Sequence, residues 1–284
     1  MSGTNIFEPK DRLRRIQREE VNMPRIAGIV LLLTGVTGTA FADNWQKDWN
    51  VSDKPELQVD VMDGRIEMRP SNSNRIEARV TTVGWRIAPG EVTISEHQTG
   101  NRVDLELRVP HHAFHIDWGN HEIRVELRIP RNAASHVHTG DGSIHIWDLA
   151  GSFDVTSGDG SIEAVNIDGS LIARTGDGSV KVRGRLDALD VNTGDGSVEA
   201  ELNSGSKLSN SWRVHTGDGH VTLRVPSDFR ADLDAHTGDG DIHVDLPMTS
   251  TGRLHEKDVR GKINGGGELL IIRTGDGTIR LERA

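Results

Sequence analysis

The chain has 284 residues, 33 basic and 43 acidic side chains, a net charge of −10 and no cysteine. The missing cysteines exclude disulfides, thiolate metal sites and cysteine nucleophiles. The acidic excess excludes a nucleic-acid backbone binder, which needs clustered Lys and Arg. Aromatic residues make up 4% with no tyrosine, so the core has to be built from Ile, Val, Leu and Ala.

Residues 1–22 form a charged N-terminal extension, and Met23 offers a conventional start, which makes 1–22 a possible misassigned start. Residues 23–42 read as a signal peptide. Arg25 precedes the apolar run Ile26–Ala42, which ends in Ala40-Phe41-Ala42, the small-x-small pattern of a cleavage site. The predicted address is therefore extracytoplasmic, in the periplasm or at the cell surface. Membrane contact is expected only if this segment stays uncleaved as an anchor; its 17 residues, with three Thr and three Gly, are marginal for a spanning helix. Removing 1–42 takes away six basic and four acidic residues and leaves a net charge of −12.

Residues 43–134 show alternating apolar stretches at Leu57–Val61, Arg75–Val80, Val103–Val109 and Ile123–Ile129, with Met62-Asp63-Gly64 as a degenerate corner. Alternation means strands with one buried face. Leu-Arg-Val/Ile-Pro closes a strand at Pro110, Pro130 and Pro226, where no ladder N–H is needed. This part is predicted to form the irregular N-terminal rungs of the fold, its end capped by Asp43–Asn50 with Trp45 and Trp49.

Residues 135–284 carry a repeat. Thr-Gly-Asp-Gly, once Ser-Gly-Asp-Gly, recurs seven times, with its aspartates at Asp141, Asp159, Asp177, Asp195, Asp218, Asp239 and Asp276. The spacings are 18, 18, 18, 23, 21 and 37. Phe153, Val155 and Ser157 share one parity before a corner and Ile162 and Ala164 share one after it; Leu171, Ala173, Thr175, Val180 and Val182 repeat the pattern. Each unit thus reads as two strands joined by a Gly-Asp-Gly corner. A hairpin meander would satisfy the Asp-Gly signal, but it needs neither a constant period nor an identical corner. The predicted fold is all-β, a parallel β-solenoid of about 18-residue, two-strand rungs. The apolar spacing is not six, so a flattened two-sided coil fits better than a triangular helix. The segment 247–260 is predicted to be a loop insertion.

The signal peptide, the Leu-Arg-Val-Pro strand ends, the Thr-Gly-Asp-Gly-Ser-Ile repeats and Gly-Lys-Ile-Asn-Gly-Gly-Gly (261–267) together resemble the bacterial "putative adhesin" family of β-strand-repeat proteins of unknown function, over essentially all of 43–284. The resemblance implies an extracytoplasmic β-solenoid, with adhesion or envelope-stress sensing suggested for some relatives. It supplies no catalytic residues.

Stacked corners would place Asp159, Asp177 and Asp195 in a ladder, each about 4.8 Å from the next and repelling its neighbour by roughly 0.9 kcal/mol in water. A cation column would relieve this, yet the nine-residue Gly-Gly-x-Gly-x-Asp pattern of calcium-binding repeats is absent. The structural alternative has the glycines supplying positive φ and each carboxylate accepting N–H bonds in its own turn. In that reading the preceding Thr bonds the corner from inside. His111, His112 and His115, with His121, His136, His138 and His145 following, could hold zinc or copper, but they fall in a loop and on strand faces expected to be wet. No cofactor is implied. Glycoside chemistry needs two carboxylates in unlike environments, and equivalent aspartates in identical turns offer none. The expected function is therefore non-enzymatic: an adhesin-like binding or structural protein of the bacterial envelope, with an envelope glycan or surface protein as partner. The alternative is a carbohydrate-active enzyme on the same scaffold.

Overall fold

The computed structural model describes residues 42–109, 121–250 and 257–284. The signal segment up to residue 41, His111, His112 and His115 lie outside the described residues. Within them the chain is all-β. The first strands are β1 (Ala42–Asn50), β2 (Glu56–Val61), β3 (Arg65–Ser71), β4 (Arg75–Val83), β5 (Thr93–Thr99), β6 (Arg102–Arg108) and β7 (Glu122–Pro130). The repeat region continues with β8 (Asn132–Thr139), β9 (Ile144–Trp147), β10 (Ala150–Ser157), β11 (Ile162–Thr175), β12 (Val180–Thr193), β13 (Val198–Leu202), β14 (Trp212–Thr216) and β15 (Val221–Val225). The last are β16 (Ala231–Asp239), β17 (Ile242–Val244), β18 (Met248–Ser250), β19 (Asp258–Ile263), β20 (Leu269–Asp276) and β21 (Ile279–Arg283).

Hydrogen bonding follows two ladders. The first runs β5-β6-β2-β8-β10, through the second halves of β11 and β12, to β14-β20-β16-β19-β18. The second runs β1-β4-β7-β3-β9, through the first halves of β11 and β12, to β13-β15-β21-β17. β11 and β12 belong to both because they bend between ladders, with register shifts between Val165 and Ile167 and between Gly169 and Ser170. Each rung is a strand of the first ladder, a corner, and a strand of the second. In parallel register Ile144, Ile162, Val180, Val198, Val221 and Ile279 form one column, all buried. Period-2 side chains explain why: a shift of one residue would turn every apolar side chain to water.

The rungs do not stack in chain order at either end. The rung of β6 and β7 lies outside that of β2 and β3, which pairs instead with β8 and β9. At the other end β20 and β21 sit between β14/β15 and β16/β17. A simple parallel solenoid would stack each unit on the one before it; at both ends this chain does not. The 37-residue spacing is the signature of the second exchange, since the stack order of the last aspartates is Asp218, Asp276, Asp239. The predicted loop at 247–260 also needs correction. Met248–Ser250 and Asp258–Ile263 are strands that pair antiparallel and finish the first ladder.

The opposite end is closed by a polar bridge. β1 edges one ladder and β5 the other, and Glu96 of β5 accepts hydrogen bonds from Lys47 Nζ and, at 3.2 Å, from Trp49 Nε1 of β1. Trp49 is 4% exposed beneath it.

Candidate binding surface

The Gly-Asp-Gly corners line one edge of the stack. Asp141, Asp159, Asp177, Asp195, Asp218, Asp276 and Asp239 are all exposed. The hydroxyl before each corner is buried and ties neighbouring rungs together. Ser157 donates to Gly142 O, Thr175 to Gly160 O and Thr193 to Gly178 O, each at 2.8 Å, and Thr216, Thr274 and Thr237 repeat the contact. The expected bond from inside is thus present, but it reaches the neighbouring rung's corner. At Ser157 and Thr216 the same oxygen also accepts the N–H of its own Gly160 or Gly219, at 3.0 and 3.2 Å.

Two details of the predicted corner are overturned. Among the corner glycines only Gly240 has a positive φ. The others are required by close approach: a Cβ on Gly178 would lie 2.2 Å from Gly160 O, and one on Gly196 would lie 2.1 Å from Gly178 O. The carboxylates do not accept N–H bonds from their own turns either. They lean along the stack, so that Asp63 Oδ1 accepts the Asp141 N–H at 3.2 Å, and Asp159 Oδ1 lies 2.6 Å from where a Cβ on Gly176 would be.

The histidines are dispersed over two faces. His136 and His138 are exposed on the first ladder, with His136 Nδ1 3.9 Å from Asp154. On the second ladder His145 bonds Glu163 at 3.1 Å and stacks on Trp147, whose ring also carries the Arg69 guanidinium 3.9 Å from its centroid. His121 contacts Trp85. Among the described residues no three His, Asp or Glu side chains converge as a metal ion would require.

Concave surface lies elsewhere. On the outer side of the first ladder a shallow trough of about 360 Å³ crosses β10, β11, β12 and β14. Its floor is made of small side chains at matching register, Ser152, Ser170 and Ala188. Asp154, Asp190 and Arg213 rim it, and a second hollow of about 230 Å³ shares His136 and Asp154 and extends it over β8 and β2. The sequence signal for this floor is an outward-facing small residue every eighteen positions. A second groove, of about 450 Å³, crosses β1, β4, β7 and β3 on the other face. It mixes Arg69, Arg79 and Arg128 with Glu67, Glu77 and Glu126, so it offers no single sign of charge.

Electrostatics on these faces is that of paired charges. Hydrogen bonds from Arg185 hold Asp168 below the usual carboxylate range, and those from Arg224 do the same to Glu199. Burial pushes Asp234 upward, but hydrogen bonds from Arg273 and Arg260 outweigh it and the net shift is down. A glycosidic general acid requires the opposite direction.

Two layered ladders of parallel rungs with a repeated corner define an all-β repeat protein. The chain belongs to the Toastrack DUF4097 family, whose model matches residues 56–282. No curated protein matches it. Among solved structures it is similar to a "putative cell adhesion protein" from Clostridium sporogenes, at 13% identity over 86% of this chain and 100% of that one, with a TM-score of 0.38. A "putative lipid binding protein" from Parabacteroides distasonis shares 12% identity over 85% and 98%, with a TM-score of 0.43. A "putative adhesin" from Bacteroides fragilis shares 10% over 84% and 97%, with a TM-score of 0.30.

Proposed function

We propose that this Toastrack protein is a non-enzymatic, adhesin-like binding or structural component of the bacterial cell envelope. In this reading it is a flattened β-solenoid of about 18-residue rungs, exported through its N-terminal segment, that holds an extended envelope glycan or a surface protein. The observation that carries the reading is the trough on the first ladder. Its floor is flat because small residues recur at one register position, and it repeats at the strand spacing of about 4.8 Å. Its rim of Asp154, Asp190 and Arg213 supplies hydrogen-bonding groups of both signs. Such a surface suits a polymer that repeats along the stack better than a compact small molecule, which needs an enclosed and largely apolar pocket.

The test is a screen of the purified protein against envelope glycans and surface proteins, repeated with Ala188→Trp, which fills the floor without touching the core. A polymer that binds the parent and loses at least most of its affinity for the variant supports the reading. Binding that ignores Ala188→Trp removes the trough from the argument, and cleavage of a bound glycan would install the carbohydrate-active alternative.

A further inference from the structure

Nine Asp-Gly steps occur in the chain, at Asp63, Asp141, Asp159, Asp168, Asp177, Asp195, Asp218, Asp239 and Asp276. Asp-Gly is the dipeptide most open to isomerisation, because glycine has no side chain to hinder attack. The glycine amide nitrogen loses its proton and bonds to the aspartate Cγ. The carboxyl oxygen leaves as water, and a five-membered succinimide closes. Water then reopens the ring at the other carbonyl, and the backbone runs on through Cβ as isoaspartate. The reaction needs a free amide nitrogen and a carboxyl able to swing back onto it.

The stacked corner withholds both. The amide N–H of Gly160 and that of Gly219 are held by the buried hydroxyls of Ser157 and Thr216. The carboxyl groups lean away from their own glycines toward the next rung, as Asp63 and Asp159 do. Asp168, at the bend of β11, is held by Arg185.

The last corner in the stack keeps the buried Thr237 hydroxyl, which donates to Gly277 O, but lacks the contact with a further rung. Asp239 belongs to the outermost rung of the repeat and has no further corner to lean on. Its side chain is 83% exposed, with Lys257 Nζ 3.2 Å away as its contact. Gly240 alone among the glycines of the Gly-Asp-Gly corners has a positive φ, and no described residue accepts its N–H. We propose that Asp239-Gly240 is the site at which this protein undergoes succinimide formation and isoaspartate modification, and that the interior corners are shielded by the stack itself. An added backbone carbon at Asp177 would break the ladder on both sides, whereas at Asp239 it disturbs a single neighbour.

The full chain would be aged at neutral pH, folded and in urea, and isoaspartate mapped peptide by peptide. In urea all nine sites should react. Folded, Asp239 should accumulate the product while Asp159, Asp177 and Asp195 stay unmodified. Ser157→Ala should raise the folded rate at Asp159 by about tenfold, the equivalent of its hydrogen bond from the Gly160 N–H, and Ser157→Thr should keep the parent rate. Equal folded rates at Asp177 and Asp239, or equal rates at Asp177 folded and unfolded, would overturn the proposal, and the latter comparison needs no variant to fold.

Discussion

Gly178→Ala separates the two roles that a corner glycine can have. The added Cβ would stand 2.2 Å from Gly160 O and 2.5 Å from its carbonyl carbon. A carbon–oxygen contact normally settles near 3.3 Å, so the corner has to open by about 1 Å. The main chain on both sides is fixed by ladder hydrogen bonds, and overpacking of such a site costs about 1–3 kcal/mol. Opening also lengthens the bond from Thr175 Oγ1 to Gly160 O and that from the Gly176 N–H to Gly158 O, each worth about 1 kcal/mol. The expected loss is about 3–5 kcal/mol. Gly90→Ala is the control: Gly90 has φ +92° with nothing within 4 Å of its Cβ position, so only the backbone conformation is penalised, by about 1–2 kcal/mol. Urea unfolding of the two variants beside the parent reads the difference. Equal losses, or a Gly178→Ala loss below that of Gly90→Ala, would refute the claim that close approach selects these glycines.

Ser135 is 1% exposed, and its hydroxyl has no hydrogen-bond partner; Ser135→Ala should raise stability by about 1 kcal/mol, as a higher urea midpoint at unchanged slope. The Lys47 hydrogen bond holds Glu96 below its ordinary value of 4.5, so the bridge between β1 and β5 contributes stability above that value and loses it as pH falls through the lowered one. Protection factors of the β1 amides, corrected for intrinsic exchange, should fall over that acid range in the parent, and Glu96→Gln should flatten them; a parent with constant protection would end the argument. Deletion of 160–177 joins Asp159 to Gly178 and removes one full register repeat, so a shorter folded protein with a smaller urea slope is expected. An unfolded or aggregated product would contradict the equivalence of the units.

The interior of the fold was legible because parity is a strong signal: Phe153, Val155, Leu171 and Ala173 face inward as their alternation required, and all are buried. The stack order was not, for the same reason. Val214, Ile272 and Ala235 fill equivalent positions in the first ladder, and nothing in their identity says which lies next to which. The reason for the corner glycines was misread because φ is a property of one residue, whereas close approach depends on a carbonyl eighteen residues away. The trough floor went unseen because Ser and Ala on the wet parity look like ordinary surface, and the Lys47–Glu96 bridge joins segments with no shared pattern.

The exchange of rungs near the end of the repeat sets an order of events for the growing chain. Residues 231–244 emerge before 269–283, yet their native seat is against 269–283, and until those residues arrive the free edge they meet is that of β14 and β15. That edge is a decoy: Ala235 can occupy the place of Ile272 opposite Val214 with its parity intact. A chain that closes early has to reopen before the later rung can enter, and such long-range rearrangement is slow. A chain halted in this interval presents an open ladder edge to neighbouring chains, so the final forty residues, rather than the regular repeat, govern how quickly the molecule becomes safe from self-association.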